Sequence, residues 1–183
     1  MKLSTKPFRQ MIFDYAPLPD PEGLAAKVPL VVAGTVEDFV PGPVVEEGFP
    51  GDRVHYVLMP VRVTERFKGR AGDLVHVKVF QGGLRGGKPI NSVADFGRAV
   101  PRGTWILLFA YPDTRAGTVV KDRAALPART PIYAAHPQGM LLGSGLKVVG
   151  GMEEVDPASR WGDPCGLDGI ATRLRAAGYR GAP

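Results

Sequence analysis

The first stretch whose residue types could do chemistry is VFQGGLRGGKP, which ends in Pro89. Gly82, followed after four residues by Gly87 and Lys88, has the spacing of a phosphate-binding loop. Such a loop needs a serine or threonine after the lysine, for the magnesium ion, and a helix that begins at that point. Pro89 has no hydroxyl and disfavours helical geometry at Lys88, and residues 90–93 show no helical pattern. We therefore expect a hairpin-like glycine loop whose glycines allow positive φ, and no nucleotide.

Histidine, serine and cysteine side chains supply no recognisable catalytic or metal-binding set. The three histidines (His55, His76 and His136) fall in none of the CxxC, HxxxH or HExxH spacings of zinc sites. Ser144 lies between two glycines, but a nucleophile elbow has its glycines two positions away on each side. Cys165 lies between a proline and a glycine, and no basic residue nearby would activate its thiol. We expect no catalytic residue, no metal and no cofactor.

The strongest functional signal is the positive charge between Arg62 and Lys88. This segment holds seven basic residues against two acidic ones, an excess of five that equals the formal net charge of the whole chain, +5. Basic side chains can track phosphates or meet acidic groups of a protein, and an aromatic ring can stack on a base. The candidate residues for an acidic partner or a nucleic acid are Tyr56, Arg62, Arg66, Lys68, Arg70, Lys78, Arg85 and Lys88.

Composition indicates the scaffold that must position these residues. The chain has 183 residues, 44% hydrophobic and 22% charged, with 24 glycines and 18 prolines. This length can bury a core without metal or disulfides, and the glycines and prolines favour many turns and short strands. A single cysteine excludes an intrachain disulfide framework.

The beginning of the chain argues against export. Three basic residues occur in the first nine, but no apolar run of seven or more follows before Asp14, so a secretory signal is not expected. No window approaches the eighteen apolar residues of a membrane helix. We expect a soluble cytoplasmic protein without a membrane span, or an exported one if a leader has been trimmed.

Five runs of residues predict strands. Residues 30–40 are rich in β-branched side chains. Apolar and polar residues alternate over 55–65 and 75–79, and a glycine-containing turn joins these two runs into a hairpin. Residues 104–111 are apolar on both faces, as in a central strand, and 139–149 predict a last strand kinked at its glycines.

The remaining segments predict connections and short helices. Residues 41–52, with three prolines and three glycines, are expected to be an exposed connection. Asp20 followed by Pro21 predicts a helix start, and apolar spacing predicts a second helix over 166–177. We divide the chain into an arm with a short helix (1–27), a barrel (28–152) and a tail with a short helix (153–183).

Five curled strands with few helices predict an all-β fold with minor α content, a five-stranded OB-like barrel. A resemblance supports this prediction over roughly residues 24–150. Its motifs are LVVAGTV at 30–36, VRVTERFKG at 61–69, VHVKVFQGG at 75–83, PRGTWILLF at 101–109 and QGM at 138–140. Their order resembles a large group of bacterial proteins of unknown function, which are similar to the OB-like barrel of netrin and tissue-inhibitor-of-metalloproteinases (TIMP-like) modules.

The resemblance implies a fold and little about activity. The metalloproteinase inhibitors hold a catalytic zinc ion with an N-terminal cysteine, whereas this chain begins with Met1 and has no cysteine before Cys165. That mechanism cannot be carried over. We therefore predict a non-enzymatic β-barrel binding module for a protein partner. The alternatives are single-stranded nucleic-acid binding through the basic hairpin 62–88, and a hydrolase with an unrecognised site.

Overall fold

The computed structural model describes residues 3–114 and 119–181, which form ten strands, three α-helices and one 3₁₀ turn over Lys6–Phe8. In chain order the strands are β1 (Leu30–Val36), β2 (Val40–Glu46), β3 (Arg53–Lys68), β4 (Leu74–Phe80), β5 (Leu84–Arg85), β6 (Lys88–Pro89), β7 (Trp105–Pro112), β8 (Val119–Asp122), β9 (Ile132–Ser144) and β10 (Lys147–Gly150). The helices are α1 (Pro21–Lys27), α2 (Val93–Ala99) and α3 (Gly166–Ala176).

Five of the strands close into a barrel in the order β1, β7, β9, β4, β3, because β3 pairs back with β1. The β4–β9 pair is parallel and the other four pairs of the barrel are antiparallel. β2 and β8 extend the sheet beyond β3, and β10 pairs with β9. The prediction of an all-β, OB-like barrel with short helices is confirmed.

The interior of the barrel follows the alternation of the sequence. Val57, Met59 and Val61 of β3 point inwards and are fully buried, and Val75 and Val77 of β4 meet them from the next strand. Residues two apart share a face of a strand. The same strands therefore present their other residues to the outside of the barrel.

A second core lies outside the barrel, where α1 and α3 cover the outer face of β1, β7 and β9. Leu107 and Phe109 of β7 contribute to it, together with Ile170 and Leu174 of α3 and Leu24 of α1. This explains why residues 104–111 are apolar on both faces: one face lines the barrel and the other lies under the helices. Asp20 begins α1 as predicted, because its carboxylate accepts a hydrogen bond of 2.7 Å from the Gly23 amide.

The prediction of an exposed connection over 41–52 is wrong for its first half. β2 pairs with β3 on one side and β8 on the other, despite two prolines. The register of the β2–β3 hydrogen bonds shifts between Pro41 and Val44. This irregularity accommodates the two prolines, which have no backbone N–H to donate. Gly42 allows the close approach, since a Cβ there would lie 2.6 Å from the Tyr56 carbonyl oxygen.

Two further segments differ from the predictions. Residues 90–93 do lead into a helix: Ser92 and Asp95 form a capping box that begins α2. The segment 139–149 is a hairpin rather than one kinked strand, because the chain reverses at Gly145, which has a φ of +60°. None of the described helices is long and apolar enough to cross a membrane.

Candidate functional site

The cations of the predicted basic hairpin are mostly engaged by the protein itself. The Arg62 Nε lies 2.5 Å from Glu37, and Arg66 donates to Asp73 at 2.8 Å and to the Ala71 carbonyl at 2.9 Å. The hydrogen bond and charge of Arg62 hold the pKa of Glu37 below its ordinary value. These contacts use hydrogen-bond donors and positive charge of Arg62 and Arg66 that would otherwise be available to a ligand.

Lys68 has a structural position at the end of a helix. Its ammonium group donates to the Ala25 and Ala26 carbonyls at 2.8 and 3.0 Å. These carbonyls belong to the last turn of α1, where backbone acceptors lack helical partners and a cation is favoured. A change at Lys68 would therefore alter the scaffold as well as the surface charge.

Tyr56 and Lys78 are buried on the outer side of the barrel. The Lys78 side chain is 5% exposed and its Nζ lies 2.7 Å from Asp113 and 4.6 Å from the centre of the Tyr56 ring. The Tyr56 hydroxyl lies 3.3 Å from Glu47. A ring in this position cannot stack on a base without local opening, so these two candidates do not face a ligand.

The other three candidates, Arg70, Arg85 and Lys88, are exposed. Arg70 lies in the β3–β4 turn, whereas Arg85 and Lys88 lie beyond the opposite end of β4. A strand of seven residues is roughly 20 Å long. The predicted set therefore divides between two ends of the barrel and does not form one track.

The glycine loop is a short β-hairpin. Gly86 and Gly87 join β5 to β6 with φ angles of +58° and +75°, as in the tight turns that favour glycine. The hairpin is closed at its base by hydrogen bonds between Gln81 and Asn91. Helix α2 begins at Val93 rather than at the lysine, so the amides at its start are not placed as in a phosphate-binding loop.

An open groove of about 910 Å³ lies between the β3–β4 turn and the chain that follows α3. Four arginines line it, with Glu65 as the one acidic residue among its lining residues. We call it the arginine groove and define it by Arg66, Arg70, Arg175 and Arg180.

Two local structures build the arginine groove. Gly69 turns the chain with a φ of +80°, at a place where a Cβ would lie 2.3 Å from the Pro29 carbonyl oxygen. On the other side, the Gly181 amide donates to the Arg66 carbonyl at 2.8 Å, which holds the end of the described chain against β3. The groove therefore joins parts of the sequence that are more than a hundred residues apart.

The four arginines of the groove differ in whether an acidic residue of the protein pairs with them. Arg175 forms a two-pronged pair with Glu65, at 2.7 and 2.6 Å, and this hydrogen bonding raises the pKa of Arg175. Arg66 is paired with Asp73. Arg70 and Arg180 are exposed and, within residues 3–114 and 119–181, have no ion pair. Two arginines are thus available to an anionic ligand.

A cluster of ionisable side chains lies elsewhere, around His136. Its Nδ1 accepts a hydrogen bond from the Gln138 amide at 3.2 Å, and burial lowers its pKa. The Tyr15 hydroxyl donates to Glu153, and burial together with this carboxylate raises the pKa of Tyr15. The adjoining cavity of about 380 Å³ includes Asp113, which Lys78 already engages.

The second cluster comprises Tyr15, His136 and Glu153, with Asp113 in the adjoining cavity. No serine or cysteine occurs among the described residues that line its cavity. Nor do three histidine, cysteine, aspartate or glutamate side chains converge as metal ligands anywhere in the described ranges. The arginine groove is therefore the better candidate site.

Sequence reasoning identified half of the groove. Arg66 and Arg70 were among the candidates, whereas Arg175 and Arg180 belong to the predicted tail. The apolar spacing predicts the helix over 166–177, but no local signal shows which part of the barrel that helix covers.

No protein-family model, no curated protein and no solved structure matches the chain. The resemblance to netrin and TIMP-like modules stays a prediction.

Proposed function

We propose that this chain is a non-enzymatic binding module that takes up an acidic segment of a partner protein in the arginine groove. The observation that carries the proposal is the pair of exposed arginines, Arg70 and Arg180, which have no ion pair with any described residue and lie beside Arg66 and Arg175. The planar guanidinium group forms paired hydrogen bonds with a carboxylate, which gives both affinity and orientation.

A protein ligand suits the surface better than a single-stranded nucleic acid. The hairpin cations Arg62, Arg66, Lys68 and Lys78 already have partners in the protein. Tyr56, the aromatic residue proposed for base stacking, is buried. Binding of single strands combines a cationic path with stacking rings. Along 62–88 the exposed cations Arg70, Arg85 and Lys88 are divided between the two ends of β4, and Tyr56 does not present its ring beside them.

The test measures the affinity of a fluorescent polyglutamate peptide for the wild type and for the double variant Arg70→Glu/Arg180→Glu. We expect the variant to bind at least tenfold more weakly, a loss of about 1.4 kcal/mol or more. Affinity for the wild type should fall as salt is raised, because exposed charges are screened.

The matched control is Arg85→Glu/Lys88→Glu, which changes net charge equally at the other end of β4. We expect it to bind like the wild type. Equal weakening by both double variants would mean that only net charge matters, and the proposal would fail. A labelled single-stranded oligonucleotide in the same assay tests the alternative. Nucleic-acid binding would be favoured if the oligonucleotide binds more tightly than the peptide and if Arg85→Glu/Lys88→Glu abolishes that binding.

A further inference from the structure

A second, smaller cavity adjoins the arginine groove. It has a volume of about 240 Å³ and shares three lining residues with the groove: Thr64, Glu65 and Arg175. Trp105 forms its outer wall and is 51% exposed, an unusual position for so large an apolar side chain. We call this cavity the Trp105 pocket.

Small residues on the outer face of the barrel leave the space that forms the pocket. Ala33 of β1 lies between Glu65 of β3 and Leu107 of β7 in the sheet register, so a methyl group fills a position that larger side chains could occupy. Ala171 of α3 lines the same space. Helix α3, which packs on the sheet through Ile170 and Leu174, therefore leaves a local gap beside Ala33 and Ala171.

Apolar side chains also lie near Trp105. A Cβ built at Gly143 would lie 3.2 Å from the Trp105 Cβ and 3.3 Å from the Leu167 Cδ1, so both side chains lie close to this glycine. Leu146, in the β9–β10 turn, is 73% exposed, and a Cβ at Gly166 would lie 3.2 Å from its carbonyl carbon. Leu146 therefore lies near the start of α3, and Trp105 and Leu167 line the pocket itself.

We propose that the Trp105 pocket holds one bulky apolar side chain of the same acidic segment that occupies the arginine groove. This inference rests on the proposed function and adds a specificity element to it. Arg175 lines both cavities, so a carboxylate next to the apolar residue in the peptide meets the arginines while the apolar side chain enters the pocket.

The size of the pocket favours a single side chain of a peptide. Sites for whole small molecules are about 300–1,000 Å³, and 240 Å³ falls below that range. Leu107, Leu167 and the Trp105 ring supply the apolar part of the lining that an uncharged leucine or phenylalanine side chain would contact.

The test compares three synthetic peptides of equal length. One is a run of glutamates, the second carries a single leucine within that run, and the third carries the leucine but has glutamine in place of glutamate. We expect the leucine to tighten binding about tenfold or more, because its side chain leaves water for the pocket. The glutamine peptide should bind weakest.

Three variants test whether the leucine side chain of the peptide enters the Trp105 pocket. Trp105→Ala should abolish the gain from leucine while leaving the affinity of the pure glutamate peptide within twofold. Trp105→Phe should retain most of the gain. The control is Phe49→Ala at the β2–β3 turn, an exposed aromatic residue outside the groove and the pocket, which should retain the full gain.

A fluorescence readout distinguishes contact from altered folding. The chain has two tryptophans, and Trp161 is buried in the outer core. The leucine peptide should shift the emission of the wild type to the blue, and this shift should be absent in Trp105→Phe. The pure glutamate peptide should give a smaller shift.

Failure of the inference and failure of the proposed function look different. If the glutamate peptide binds but leucine adds nothing, or if Trp105→Ala keeps the gain, the pocket is not an anchor site and the inference is overturned. If the glutamine peptide binds as tightly as the glutamate peptide with leucine, the arginines contribute nothing and the proposed function is overturned.

Discussion

Lys78 shows how a basic residue in a charged segment can serve the fold instead of a ligand. Its ammonium group is buried against Asp113, whose side chain is 17% exposed, and lies over the Tyr56 ring. The sequence alternation placed Lys78 outside the barrel correctly. It could not show that Asp113, which follows β7, buries the Lys78 ammonium group, because that contact depends on how distant segments pack in the folded protein.

The ion pair predicts a marked asymmetry in stability. Asp113→Ala should lower the free energy of unfolding by about 3 kcal/mol, because it leaves the Lys78 charge buried without a partner. Arg62→Ala, which breaks an exposed pair with Glu37, should cost less than about 1 kcal/mol. Urea denaturation of both variants checks this. Equal costs would mean that Lys78 is solvated in the folded protein.

Two histidines predict how stability depends on pH. Burial lowers the pKa of His76 and of His136 in the folded state. The unfolded chain then binds more protons below an ordinary pKa of about 6.5, so stability should be full above that pH and fall as the pH drops towards about 5. The urea midpoint over this range should fall less steeply in His76→Gln/His136→Gln than in the wild type. An unchanged slope would contradict the assignment.

At the scale of elements, β1 and β3 close the barrel through a local irregularity. The register shifts between Ala33 and Gly34. A Cβ at Gly34 would lie 2.1 Å from the Arg62 carbonyl oxygen, so the two strands approach more closely there than any side chain permits. The irregularity therefore lies within the pair of strands that closes the barrel.

This contact predicts opposite effects at two glycines. Gly34→Ala should destabilise the protein by about 1–3 kcal/mol, the usual cost of forcing atoms into a packed site. Gly97→Ala in helix α2 should stabilise it by about 0.5–1 kcal/mol, because nothing lies near a Cβ there and alanine favours helix. Thermal unfolding measures both. A neutral Gly34→Ala would show that the barrel is less tightly closed.

Elements with strong local signals were predictable, and those that depend on partners were not. Alternation over 55–65 and 75–79 indicated β3 and β4, and the Asp20 cap indicated α1. β2 contains two prolines and is a strand only because β3 and β8 lie on either side of it. For α2, the capping box of Ser92 and Asp95 was the available signal.

At the scale of the whole molecule, α1 and the segment 166–181 form one layer over the barrel. Arg173 of α3 donates two hydrogen bonds of 2.8 Å to Glu22 of α1, and the Tyr179 hydroxyl donates to the Glu22 carbonyl. This layer brings Arg175 and Arg180 beside the β3–β4 turn. The arginine groove therefore exists only in the folded chain, which is why the sequence indicated just Arg66 and Arg70.

The most direct test of the central claim is an NMR titration of the labelled protein with the glutamate peptide. We predict backbone amide shifts at residues 64–71 and 175–181, with little change in the β5–β6 hairpin. Shifts centred on residues 84–89, or none at saturating peptide, would contradict the assignment of the arginine groove as the binding site.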